Sequence, residues 1–197
     1  MRRSPRRFVE AAKATTAVWL LALAACGPPT ADDPVVRALR TILRPGDRLF
    51  AARVLDAGDG ARLAVVVQPA SGKPELRIYE RREAGAPYVA VHTSQQGDRF
   101  HNLALEDLNG DGQEEILATW TGGQLEILEV LGRGPDGVWT TLFQNAGQRI
   151  EKRYSPSGSA EFWLTSRTFE EGSGQAPTYG VAVYRWDGKG FSEAPRR

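Results

Sequence analysis

Asp107-Leu-Asn-Gly-Asp-Gly-Gln-Glu-Glu-Ile116 places oxygen-bearing side chains at alternate positions, Asp107, Asn109 and Asp111, and follows them with Gly112 and an acid at Glu115. A tight loop whose odd positions turn inward gathers those oxygens around one point. A hard cation such as Ca²⁺ takes about six to eight oxygen ligands at roughly 2.3–2.6 Å, and this spacing supplies most of them. The expected ligands are the side chains of Asp107, Asn109, Asp111 and Glu115, with the backbone carbonyl of Gln113 between them. Such a loop serves structure before it serves catalysis.

The flanks separate this loop from its rivals. An EF-hand opens with the same D-x-N-x-D-G spacing, but it needs an acid at the twelfth position and a helix on each side. The twelfth position here is Ala118, and the flanks HNLALE (101–106) and ILATW (116–120) alternate as strands do. A plain Asx turn capping a hairpin is the bland alternative; it does not need three acids converging beside an asparagine.

Working outward, period-two alternation runs from about residue 47 to 192 and falls into three units, 47–95, 96–146 and 147–192. Each reads as four short strands, for example HNLALED, EILATW, QLEILEV and VWTTLFQ in the middle unit. Each third strand leads into a glycine-bearing turn and then an aromatic: Gly85-Ala-Pro-Tyr88, Asp136-Gly-Val-Trp139 and Asp187-Gly-Lys-Gly-Phe191. Asp-Gly at such a place signals a hairpin. At the position of the cation loop the first unit has Asp56-Ala-Gly-Asp-Gly60 and the third has Ser155-Pro-Ser-Gly-Ser159. The first keeps Asp56 and Asp59 but is shorter and lacks an acid after its glycines, and the third has no acid until Glu161, so one ion per chain is expected.

The stretch DLNGDGQEEI, followed by a glycine-containing hairpin and an aromatic-ended strand, resembles the FG-GAP or VCBS type of repeat of integrin-like β-propellers and bacterial surface proteins. The resemblance implies one Ca²⁺ per intact copy, held at Asp107, Asn109, Asp111, the Gln113 carbonyl and Glu115. The family more often has Asp at the last of these, and Glu115 is longer by one CH₂. It also implies an all-β, propeller-like fold. Propellers close with about four to eight blades, and three units fall short of an ordinary ring. The alternatives are an open array of blades, a compact closure of twelve strands, or a half that pairs with another chain through exposed strand edges. The reading favours a propeller-like domain in one chain.

The N-terminal residues 1–25 read as a targeting segment: Arg2, Arg3, Arg6, Arg7 and Lys13 precede an apolar run, 17–25, too short to span a bilayer. Leu23-Ala-Ala-Cys26-Gly27 resembles the lipobox of bacterial lipoproteins, and Cys26 is the only cysteine. That resemblance makes Cys26 the lipidated N-terminus of the mature protein, fixed to the membrane by acyl chains at about 0.8 kcal/mol per buried CH₂. Gly27, in place of an acid, favours the outer membrane in a host with two membranes. Arg6-Arg7 loosely matches a twin-arginine signal, but Glu10 sits where that pattern wants an apolar residue, so general secretion is preferred. Residues 26–34 then read as a proline-rich tether and 35–46 as a short helix or edge segment.

Composition excludes several classes. The formal net charge is +1, and removing residues 1–25 turns it slightly negative, which gives nucleic acid nothing to bind. With Cys26 spent on lipid, no disulfide forms within a chain, and a metal is the natural staple. Two histidines, His92 and His101, fall on strands, and no nucleophile elbow exists. Gly132-Arg-Gly-Pro-Asp-Gly137 matches a dinucleotide loop in letters only, since it lies in a hairpin turn. Trp120, Trp139, Trp163 and Trp186 read as blade packing before they read as a sugar platform. The polar insertion 169–177 is the longest in the repeats. The expected function is therefore a calcium-stabilised, lipid-anchored cell-envelope module that binds a protein or glycan, not an enzyme. The alternatives are a structural accessory lipoprotein of an envelope complex and, behind it, a small polysaccharide-active enzyme.

Overall fold

The computed structural model describes residues 34–56, 61–168 and 178–195. The 1–25 targeting segment, the lipobox, the tether up to residue 33, most of the first unit's eroded loop and the 169–177 insertion lie outside the described residues, and Pro34, expected to end the tether, opens a helix.

Alternation of apolar and polar residues builds twelve strands in three open antiparallel meanders. The first sheet comprises β1 (Arg48–Asp56), β2 (Arg62–Gln68), β3 (Glu75–Glu80) and β4 (Val89–Ser94). The second comprises β5 (Arg99–Glu106), β6 (Glu115–Gly122), β7 (Leu125–Arg133) and β8 (Trp139–Gly147). The third comprises β9 (Arg149–Tyr154), β10 (Ala160–Thr168), β11 (Thr178–Trp186) and β12 (Phe191–Glu193). Within each sheet the strands lie side by side in chain order. The all-β architecture of three four-stranded sheets is therefore observed, and none of the three closes on itself.

The sheets pack face against face. Between the first and second lie Val66, Ile78, Leu103, Ile116, Ala118 and Trp120, all buried. Between the second and third lie Leu108, Leu117, Val130, Phe143, Phe162 and Phe191. The inward and outward sets on β6 show the period-two rule directly: Ile116, Ala118 and Trp120 face the first sheet, while Leu117 faces the third.

A helix closes the near end of this stack. Helix α1 (Pro34–Ile42) lays Ala38 and Leu39 on Leu63, Val65 and Tyr79 of the first sheet. β2, RLAVVVQ, is consequently covered on both faces, which explains why it reads as an unbroken apolar run. The far end has no such cover among the described residues: Tyr179 and Val181 on the outer face of the third sheet are 64% and 49% exposed. Among the described residues no helix is long and apolar enough to cross a membrane.

The second and third sheets approach most closely at one side, where backbone meets backbone. A Cβ on Gly147 would lie 2.9 Å from the Thr165 carbonyl oxygen, and one on Gly190 would lie 2.8 Å from that of Leu142. Beside them Phe143, Phe162, Tyr184 and Phe191 form one aromatic cluster, with Phe143 and Phe162 stacked at 4.9 Å.

Candidate metal loop

The loop 107–114 joins β5 to β6. Its backbone path is set by glycine: Gly110 and Gly112 sit at φ +82° and +83°, a region costly for residues with a Cβ. The side chains then fold back on the path they direct. Asp107 accepts from the Gly110 N–H at 2.7 Å and the Gly112 N–H at 3.0 Å. Asn109 Oδ1 accepts from the Asp111 N–H, and Asp111 Oδ1 from the Gln113 N–H, each at 2.8 Å. These are successive Asx turns.

Glu115 is the buried member, 3% exposed, although it opens β6 beside an exposed loop. Its Oε2 accepts from the Leu108 N–H at 2.8 Å. Burial, and then the negative charges of Asp111 and Asp107, push its carboxyl up to about 7, against the opposing pull of the Leu108 N–H. None of the ion pairs among the described residues involves Asp107, Asp111 or Glu115.

Oxygen donors with surplus negative charge around a buried carboxylate are the chemistry a hard cation fits. The side chains are nonetheless held by one another and by the backbone. The Asn109 amide nitrogen lies 3.2 Å from Asp111 Oδ2 and 3.1 Å from Glu115 Oε1, so a neutral group bridges the two acids. Among the described residues no three His, Cys, Asp or Glu side chains converge as a ready metal cage.

The loop also reaches across to the third sheet, a connection the sequence reading missed. Leu108 is fully buried among the residues between the second and third sheets, and its carbonyl accepts from the Ala160 N–H at 2.7 Å. Ser159, in the third unit's eroded loop, donates to the Asn109 carbonyl at 3.3 Å. One chain of contacts therefore runs from Glu115 through the Leu108 peptide to Ala160. Glu129 was missed too. It is 1% exposed on β7, accepts from Ser94 at 2.8 Å and Gln96 at 3.2 Å, and has its carboxyl raised by burial. An acid inside the apolar run LEILEV was the available signal.

The remaining candidate residues lie apart from the loop. Trp120 is fully buried against Phe100, and Trp186 packs on Phe191. Trp139 donates to Glu80, and Trp163 lies under the Arg153 guanidinium at 4.1 Å. His92 carries a buried, unpartnered Nε2 and is pushed down by burial; His101 contacts Thr121. Compared with family models, with curated proteins and with solved structures, the chain matches none of them.

Proposed function

We propose that the chain is a lipid-anchored protein of the bacterial cell envelope whose β-repeat domain is stabilised by one Ca²⁺ and acts as a binding module. The observation that carries this reading is the tie from Glu115 through Leu108 to Ala160, because it makes the acidic loop a joint between two sheets. The ion would be held by Asp107, Asn109, Asp111, Glu115 and the Gln113 carbonyl, and when bound it supplies positive charge to a buried carboxylate. Charge neutralisation there stiffens the joint, in keeping with a structural site. The propeller-like arrangement and the outer-membrane location belong to the same proposal, which rests on the repeat and lipobox resemblances.

Two experiments test it. Calcium should raise the thermal midpoint of the purified chain, and chelator should lower it; equal midpoints would remove the calcium from the proposal. Mass spectrometry of the membrane-extracted protein should find acyl chains on an N-terminal Cys26, lost in Cys26→Ser. A mature protein cleaved elsewhere would remove the anchor.

A further inference from the structure

The stack of sheets is filled unevenly, and the uneven place is a cleft. In the seam between the first and second sheets, Phe100 opposes Trp120, and the two rings meet edge to face at 5.4 Å with Phe50 behind them. The third sheet repeats that register: Leu103 opposes Ala118 on β5 and β6, and Ile150 opposes Leu164 on β9 and β10. Counting on from those pairs, with the bulge between Phe100 and Asn102 on β5 allowed for, the positions of Phe100 and Trp120 are taken by Gln148 and Ser166. Neither position carries a ring: Ser166 is exposed, and the Gln148 amide lines the space that two large rings fill in the first seam.

Two independent features hold the gap open. The close approach of Gly190 to the Leu142 carbonyl holds the sheets together on the β8 and β12 side, away from the β6, β7 and β9 residues that line the cleft. The free edge of β9 is held off β7 by a side chain: Glu126 accepts from the Ile150 N–H at 2.7 Å. The result is a cleft of about 520 Å³, within the size range of small-molecule sites. Its walls are largely apolar, with Leu117, Leu128, Ile150 and Phe162 prominent, and its polar groups are mostly neutral, Thr119 and Gln148 among them. Gln148 Oε1 is buried and has no hydrogen-bond partner, an acceptor that costs free energy until a donor meets it. The only cation in the lining, Lys152, is already paired with Glu106.

We infer that this cleft is a binding site for a small neutral amphiphile, an apolar body carrying a single hydroxyl or N–H donor that the Gln148 carbonyl accepts. An anionic ligand would find no unpaired cation in the lining, and the lining's carboxylate, Glu126, already accepts from the Ile150 N–H. A sugar would find no open aromatic face, since Trp120 and Phe162, the aromatics of the lining, are both fully buried. The site stands independently of the cation loop and of the lipid.

The probe for the test is N-phenyl-1-naphthylamine, a neutral aromatic amine with one N–H, whose fluorescence rises in an apolar site. The full chain carrying Cys26→Ser, in detergent-free buffer, should bind it saturably, and the Gln148 side-chain amide resonance should move with the same saturation. Gln148→Leu, which keeps volume and removes the acceptor, should weaken binding about fivefold, the effect of one neutral hydrogen bond. Gln148→Phe and Thr119→Phe, which fill the cleft from opposite walls, should each abolish it while the thermal midpoint holds. Saturable binding unchanged in a folded filling variant, or binding that leaves the Gln148 resonance in place, overturns the proposal, as does the absence of saturable binding.

Discussion

Glu115 is the residue on which the account turns, because an acid that is buried beside two other acids stores a conflict that pH and metal resolve in opposite ways. Its carboxyl is raised to about 7 in the metal-free fold, above the ordinary value near 4.5. A raised acid binds its proton more tightly in the folded chain, so its contribution is fully present below about pH 4.5 and is lost as pH climbs through 7. Metal-free protein should therefore lose stability between about pH 5 and 8, by an amount on the order of 1–3 kcal/mol from this group, readable by urea titration in chelator. On the proposed function calcium would bind the ionised form, so saturating calcium should flatten or reverse that slope. Glu115→Gln should remove the slope and the calcium response together; a slope that persists in the variant assigns it to other groups. Asp107 carries a different burden, two backbone N–H bonds that glycine geometry aims at it. Asp107→Ala should abolish calcium binding and also cost about 1–3 kcal/mol in chelator, from N–H groups left without an acceptor.

At the scale of elements, strand alternation and glycine turns made the three four-stranded units legible, because both are local and both repeat. The loop's backbone was legible for the same reason: the Asx turns at Asp107, Asn109 and Asp111 each close within a few residues. What was not legible is long-range. The Ser159 contact to Asn109 joins residues fifty apart, and nothing in the letters of Ser155–Ser159 points to it. Helix α1 was ambiguous because nine residues carry too few turns to separate a helix from an edge strand, and its role depends on the bare face of the first sheet. That role is large. Leu39, 5% exposed, sits against the first sheet, and Leu39→Ala should cost about 2–4 kcal/mol by denaturant unfolding. Leu108→Ala should cost a similar amount, about 2–4 kcal/mol, and should also weaken the calcium-dependent part of stability, since it loosens the peptide that Glu115 holds.

At the scale of the whole molecule, among the described residues the stack has one covered end and one bare one, α1 on the first sheet and Tyr179 with Val181 on the third. The loop lies at the second seam, on the route by which the third sheet is attached. Loss of the proposed ion should therefore loosen the third sheet first, and hydrogen exchange in chelator should quicken at β9 and β10 before it quickens at β2 and β3. Uniform exchange across the sheets would place the ion's effect elsewhere. The central claim is that the Asp107–Glu115 loop binds one calcium ion that holds this architecture together. Calorimetric titration of calcium into the metal-free chain, with the thermal midpoint followed in parallel, tests it most directly. The account predicts one ion per chain and, at a hundredfold excess of calcium over Kd, about 2.7 kcal/mol of added stability, or roughly 5–10 °C in Tm. A titration with no saturable heat and a midpoint that chelator leaves unmoved would contradict it.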